Sequence, residues 1–258
     1  MPLRISTAPA FPFRVSPAPC NTRMGSPMPL TVIRFASCLS ASVGYGTVAR
    51  FCKALPIVAM TVLPAGAEPV TVVALGDSLT AGYGLPEGEG LVPQLQGWLR
   101  AQGSDAVVVN AGVSGDTTAG GLARLDWSLT PETDALIVTL GGNDLLRGLD
   151  PATTRANLDA ILAKAQMRNL PVLLIGMPGP ANFGPEWKAE FDAIYPDLAA
   201  KYGTLLVPDF MAGLGNADPA ALRGLMQGDG IHPNAEGVGK IVAALGPEVL
   251  ALIARAAP

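Results

Sequence analysis

The chain has 258 residues, of which 49% are hydrophobic and 15% are charged, a composition that can fill a sizeable core and excludes an intrinsically disordered chain. The part after residue 67 holds all 21 acidic residues and 11 basic ones, and this net charge of −10 argues against nucleic-acid binding. It also contains no cysteine and a single histidine, which excludes a disulfide and a Cys- or His-rich metal site there.

The first 67 residues are predicted to lie outside the fold. Two basic residues precede an uncharged apolar run over residues 54–63, and small residues follow up to Ala67. This is the pattern of a secretory signal, here about residues 48–67, with an apolar run too short to span a bilayer. We expect cleavage near Ala67, a periplasmic or secreted product and no stable membrane span. A buried or disordered N-terminal extension and an organellar transit peptide are the alternatives.

From residue 68 onward, short apolar runs alternate with amphipathic stretches. Such near-continuous apolar runs, separated by helices, are typical of a parallel sheet that is covered on both faces. We therefore expect one α/β domain over residues 68–258, with functional loops at the C-terminal ends of its strands. The runs predict five strands, at 70–75, 106–109, 135–140, 172–175 and 204–207.

Three helices are predicted in the same stretch. The first covers residues 91–102. The second begins at Pro151 with Asp150 as its N-cap, because proline is favoured at the first helical position and aspartate just before it. The last begins after Asn234, and we expect Gly246-Pro247 to break or kink it.

Four loops of the predicted domain carry polar residues suited to catalysis. Ser78 follows the first strand, where it can present its hydroxyl or merely cap a helix, two interpretations of equal weight. Gly115 can offer a backbone N–H, and Asn143 a neutral side-chain donor for negative charge, although each alone is more typical of an ordinary turn. Asp229 lies three residues before His232, close enough to orient the imidazole as a base.

These five residues are more specific together than singly. Each lies in a loop at the expected edge of the sheet, and together they supply a nucleophile, a base, an orienting acid and an oxyanion site. Those are the requirements of acyl transfer, a reaction that needs no metal or cofactor.

The chain resembles the SGNH (GDSL) hydrolases at these positions, through Gly76–Leu79, Gly115, Gly141–Asp144 and Asp229–Pro233. The resemblance implies a three-layer α/β/α sandwich with a five-stranded parallel sheet. Segments 114–117, 120–125, 146–148, 180–184 and 194–196 also resemble the bacterial periplasmic acyl-CoA thioesterase/lysophospholipase/arylesterase subfamily. The likeness covers roughly residues 70–255.

The same resemblance implies the roles of the site residues. Ser78 is implied as the nucleophile, His232 as the base and Asp229 as its orienter. The implied oxyanion hole consists of the backbone N–H groups of Ser78 and Gly115 and the side chain of Asn143. We therefore expect a hydrolase of small-molecule carboxylic esters and thioesters. A carbohydrate O-acetylesterase and a non-catalytic binding module on the same fold are the alternatives.

Apolar side chains are concentrated in the loops after the third and fourth predicted strands. We expect them to flank the nucleophile and to favour an acyl chain over a sugar, although such residues can also simply pack on the core. The expected substrate-binding residues are Leu145, Leu146, Met177, Phe183 and Trp187.

Overall fold

The computed structural model describes residues 68–215 and 219–257, so the predicted signal in residues 1–67 lies outside the described residues. A five-stranded sheet with only parallel pairs runs through this part of the chain, in the order β2-β1-β3-β4-β5. All five predicted strands are confirmed, with ends that differ by at most three residues. They are β1 Thr71–Gly76, β2 Val107–Gly112, β3 Ala135–Thr139, β4 Val172–Ile175 and β5 Leu205–Val207.

Helices connect the strands and cover both faces of the sheet. Short 3₁₀ segments occur at Ala181–Phe183 and Phe210–Leu214. The helices are α1 Ser78–Ala81, α2 Leu91–Ala101, α3 Thr118–Ser128, α4 Gly142–Leu146, α5 Pro151–Met167, α6 Pro185–Asp192, α7 Ile194–Tyr202, α8 Pro219–Gly224 and α9 Ala235–Ala256.

The core is divided by the sheet into two apolar layers. Successive side chains of a strand point to opposite faces, so Val72 and Ala74 pack with residues of α2 and α9. Val73 and Leu75 of the same strand pack with residues of α3, α5 and α7. Burial on both faces explains why the three central strands β1, β3 and β4 are continuously apolar, and the arrangement confirms the predicted three-layer α/β/α sandwich.

The predicted start of α5 is confirmed. The Asp150 carboxylate accepts a hydrogen bond from the Ala152 backbone N–H at 2.9 Å, and Pro151 is the first helical residue. This cap satisfies one of the backbone donors that a helix start leaves unpaired, and proline lacks another of them.

Of the break or kink predicted at Gly246-Pro247, the break is wrong, because α9 continues from Ala235 through Pro247 to Ala256. A proline inside a helix costs about 3 kcal/mol. The turns on both sides are nevertheless held in the core by a buried stripe, which consists of Val238, Ile241, Val242, Leu245, Val249 and Leu252. By length and mean hydropathy α9 could also cross a membrane, but this stripe makes it a core helix of the fold.

Candidate active site

The predicted site residues meet at the C-terminal edge of the sheet. Ser78 follows β1, Gly115 follows β2 and Asn143 follows β3. Because β1 lies between β2 and β3, the three loops are neighbours. Ligands of open α/β sheets bind at such a place, where the strand order reverses.

The turn after β1 presents Ser78 as the first residue of α1. Its neighbour Asp77, not Ser78, is the N-cap, since the Asp77 carboxylate accepts from the Leu79 backbone N–H at 3.0 Å. The interpretation of Ser78 as a mere helix cap is therefore wrong. The Ser78 hydroxyl is left available for another partner.

A small antiparallel turn before α9 brings His232 to that serine. The Gln227 N–H donates to the His232 carbonyl at 2.7 Å, and the Asn234 N–H donates to the Leu225 carbonyl at 2.9 Å. Asn234 also caps α9 by accepting from the Gly237 N–H at 3.0 Å. The loop is thus tied to a helix that is itself anchored in the core.

Ser78, His232 and Asp229 form a continuous hydrogen-bonded chain. His232 Nε2 lies 2.8 Å from Ser78 Oγ, and His232 Nδ1 lies 2.6 Å from Asp229 Oδ2. An ionised carboxylate can only accept, so it selects the tautomer with a proton on Nδ1 and leaves Nε2 free to accept from the serine.

Asp229 is held in its ionised form. Its other oxygen, Oδ1, accepts from the backbone N–H groups of His232 at 3.0 Å and Ile231 at 2.9 Å. The His232 backbone N–H, followed by the His232 side chain and the Ile231 N–H, lowers the pKa of Asp229 to about 2. The carboxylate therefore stays charged throughout the neutral pH range.

Gly115 and Asn143 line the same cleft as Ser78. Gly115 has a φ of +85°, a conformation that favours glycine. Its carbonyl accepts from Arg147 Nη2 at 2.8 Å, which ties the loop after β2 to the end of α4. Asn143 Nδ2 donates to Asp77 Oδ2 at 3.3 Å.

Known proteins are similar to this chain in both sequence and fold. The profile of the GDSL-like Lipase/Acylhydrolase family matches residues 74–239. Esterase TesA of Pseudomonas aeruginosa is 44% identical over 176 residues, which cover 68% of this chain and 85% of that protein. The chain belongs to the GDSL-like lipase/acylhydrolase family. Members of this family hydrolyse ester bonds, so the predicted resemblance and the predicted ester hydrolase are both confirmed.

Two further proteins are similar to this GDSL hydrolase. Thioesterase 1/protease 1/lysophospholipase L1 of Escherichia coli (strain K12) is 39% identical over 180 residues, or 69% of this chain and 81% of that protein. The crystal structure of AlinE4, an SGNH-hydrolase family esterase, superposes with a TM-score of 0.59 at 46% identity and covers 72% of this chain and 97% of that one.

A cleft of about 370 Å³ extends from the polar residues of this GDSL site. Of the side chains expected to bind substrate, Leu145, Leu146 and Met177 line it. Together with three other residues they form its apolar wall, which consists of Leu79, Leu145, Leu146, Met177, Met211 and Ile231.

Phe183 and Trp187 do not line this cleft, contrary to the expectation from sequence. Trp187 stacks on the fully buried Phe191, with ring centroids 4.9 Å apart, and Phe183 packs on Trp187 at 4.7 Å. The Trp187 ring of α6 therefore packs against the core, and the exposed Phe183 ring, which precedes α6, packs against Trp187. Position after a strand end therefore did not decide where their side chains point.

Several residues of the site were not singled out from the sequence. The Tyr83 ring lies 4.9 Å from the His232 ring and lines the cleft, as do Ile231 and Met211. Ile231 lies within the motif Asp229–Pro233 and Tyr83 lies four residues after the motif Gly76–Leu79, so their nearness in sequence was a usable signal. Met211 follows β5, and nothing in its surroundings in the sequence marks it.

Buried polar groups brace the loops on either side of the oxyanion candidates. The fully buried Asp144 accepts from the Thr118 N–H at 2.8 Å, the Thr118 hydroxyl at 2.5 Å and the Thr154 hydroxyl at 3.2 Å. The Tyr195 hydroxyl donates to the Leu140 carbonyl at 2.9 Å. A buried network with its hydrogen bonds made is rigid, so the ends of the loops after β2 and β3 are fixed relative to each other.

Among the residues that the structure describes, no group of three or more His, Cys, Asp or Glu side chains is arranged to hold a metal ion.

Proposed function

We propose that this enzyme hydrolyses carboxylic esters and thioesters through an acyl-enzyme on Ser78. The observation that carries the proposal is the pair of short contacts of His232, 2.8 Å to Ser78 Oγ and 2.6 Å to Asp229 Oδ2. These distances are within the range at which a base can take a proton and be oriented by a carboxylate.

Each half of the reaction uses the same groups. Ser78 Oγ attacks the acyl carbonyl carbon while its proton moves to His232 Nε2, and Asp229 stabilises the imidazolium. The backbone N–H groups of Ser78 and Gly115 and the Asn143 side chain receive the negative charge on the carbonyl oxygen. His232 then protonates the departing alcohol or thiol, and later activates the water that releases the acid.

The proposed mechanism is tested with Ser78→Ala, His232→Ala and the double variant. Ser78 and His232 are proposed to act as one unit, so the loss of either residue should remove nearly all of kcat. The double variant should then be little worse than either single variant. A fluorophosphonate probe should label the wild type only, at Ser78. Losses that multiply in the double variant, or labelling of Ser78→Ala, would contradict the shared mechanism.

The preferred substrates are proposed to carry medium or long acyl chains. The apolar wall of the cleft suits an alkyl chain, and the names of the relatives include esterase, thioesterase and lysophospholipase. Each buried CH₂ contributes about 0.8 kcal/mol, so kcat/KM should rise severalfold for every two carbons until the cleft is full.

A series of p-nitrophenyl esters from acetate to palmitate, run beside acetylated xylan, measures this preference. Leu146→Ser should flatten the dependence on chain length, whereas Trp187→Leu, which lies outside the cleft lining, should keep it. Highest activity on acetate or on acetylated xylan would favour the carbohydrate O-acetylesterase instead.

The domain boundary and the location are also part of the proposal. Residues 1–67 would contain an export signal, and residues 68–258 would form the hydrolase domain, which acts in the periplasm or outside the cell. The signal pattern that ends at Ala67 supports this, as does a family match that begins only at residue 74.

A further inference from the structure

A buried carboxylate lies between the nucleophile and the oxyanion amide. Asp77 precedes Ser78 and is only 2% exposed. Its Oδ1 accepts from the Leu79 N–H at 3.0 Å, which caps α1, and its Oδ2 accepts from Asn143 Nδ2 at 3.3 Å. The mechanism proposed above gives this carboxylate no task.

The contact with Asn143 decides which way that amide points. A side-chain amide has an acceptor oxygen on one side and two N–H donors on the other, and a rotation of 180° exchanges them. An ionised carboxylate only accepts, so it attracts the NH₂ group of Asn143 and repels the oxygen. With one N–H bound to Asp77, the second N–H remains for the cleft that Asn143 lines. The opposite orientation would present a lone pair to the oxyanion.

The surroundings of Asp77 are shaped for this contact. A Cβ on Gly142 would lie 3.2 Å from Asp77 Oδ2 and 2.9 Å from Met177 Sδ, so the absence of a side chain there allows the close approach. An asparagine at position 77 has the same shape but a single acceptor oxygen. It could accept from Leu79 or from Asn143, but not from both through separate oxygens.

We infer that Asp77 is a positioning residue, whose carboxylate holds the Asn143 amide with an N–H directed at the oxyanion. The inference rests on the oxyanion role proposed for Asn143. Asp77 does not touch the reacting atoms in this scheme and acts only through Asn143.

A double-mutant cycle with Asp77→Asn and Asn143→Ala tests the inference on a p-nitrophenyl ester at pH 8. Asn143→Ala should lower kcat by about 10²–10³-fold. Asp77→Asn should lower kcat by at least about tenfold, but no more than Asn143→Ala does, with little change in KM. In the Asn143→Ala background, Asp77→Asn should change kcat by about twofold or less, because the two residues act through one interaction.

Asp150→Asn is the matched control, since Asp150 also caps a helix through Oδ1 but is not bonded to Asn143. It should leave kcat within about twofold of the wild type. Equal losses from Asp77→Asn in both backgrounds would overturn the inference alone. A near wild-type kcat for Asn143→Ala would instead contradict the oxyanion role, and the inference with it.

A spectroscopic measurement separates positioning from a general structural effect. The ¹H–¹⁵N signal of the Asn143 side chain is assigned by its loss in Asn143→Ala. In a His232→Ala background no histidine remains to titrate, the backbone N–H groups of residues 231 and 232 still lower the pKa of Asp229, and burial raises the pKa of Tyr195 far above neutrality. Asp144, the next residue after Asn143, is not substituted in any of these variants, so its effect on the signal is common to all of them.

Burial raises the pKa of Asp77 to about 6 in the wild type, and the loss of His232 removes one influence that lowers it. The Asn143 signal of the His232→Ala variant should therefore move with a midpoint at or above pH 6. In His232→Ala with Asp77→Asn this movement should be lost. A signal that stays constant from about pH 5 to 8 in the His232→Ala variant would overturn the inference even if Asp77→Asn failed to fold.

Discussion

The carboxylate of Asp77 is expected to lower the stability of the fold at neutral pH. Burial raises its pKa from 3.8 to about 6 in the folded protein. A raised pKa gives stability that is complete below pH 3.8 and is lost as the pH rises through about 6. Ionisation of the buried Asp77 carboxyl group therefore lowers the free energy of unfolding at pH 8 by about 3 kcal/mol.

Asp77→Asn should remove this cost and forfeit one hydrogen bond worth about 1 kcal/mol. At pH 8 we expect the free energy of unfolding of the variant to exceed that of the wild type by about 1–2 kcal/mol, so the variant should unfold at a higher urea concentration. At pH 4.5 this difference should disappear. A more stable but less active variant is typical of a site that holds a group under strain. An equal difference in unfolding free energy at both pH values would contradict the raised pKa.

Asp229 provides the opposite case. Its pKa is lowered to about 2, so its contribution to stability is present above pH 3.8 and is lost as the pH falls through about 2. Asp229→Asn should therefore not gain stability at pH 8. The two carboxylates of the site serve different purposes, since one must stay charged in contact with water and the other is kept away from it.

At the scale of elements, helices α2 and α9 pack closely where a glycine provides no side chain. A Cβ on Gly246 of α9 would lie 2.5 Å from the Trp98 ring of α2. Gly246→Ala should destabilise the protein by about 1–3 kcal/mol, because a packed core accepts extra volume poorly. Gly97→Ala is the control, since a Cβ there meets nothing within 4 Å and helical glycine is disfavoured, so it should stabilise by about 0.5–1 kcal/mol. Urea unfolding measures both, and similar effects at the two positions would contradict the packing argument.

The elements differ in how far the sequence alone could specify them. The central strands β1, β3 and β4 could be predicted because burial on both faces makes them continuously apolar, and α5 because its cap is local. Helix α3 lacks such a signal, since Gly120 and Gly121 weaken it locally and Gly121 is needed for contact with Leu140. The continuation of α9 past Pro247 depends on packing against the sheet, which local helix rules do not include.

The residues of the site also differ in how far the sequence alone could specify their contacts. Ser78, Gly115 and Asn143 could be predicted to converge because parallel strands bring their C-terminal ends to one edge. The contact of Asp77 with Asn143 could not be predicted, because it depends on how the loops after β1 and β3 are positioned relative to each other in the folded protein. The directions of Phe183 and Trp187 likewise depend on how α6 docks.

At the scale of the whole molecule, the start of the sheet is compatible with cleavage after Ala67. Glu68 and Pro69 are exposed, and β1 begins at Thr71. The first backbone contact of the sheet in this region is made by the Val70 carbonyl, which accepts from the Val107 N–H at 2.9 Å. All residues of the five described strands thus lie after Ala67.

Expressed in a bacterium with its own N-terminus, the enzyme should be recovered outside the cytoplasm with a mass that corresponds to residues 68–258. Ala67→Tyr should block cleavage, because the cleavage site requires small residues, whereas Ala59→Leu within the apolar run should not. Intact mass measurement of the wild type and both variants checks this. A wild-type product that retains residues 1–67 would contradict the export proposal. It would leave the catalytic proposal untouched, because the Ser78, His232 and Asp229 contacts all lie within the described domain.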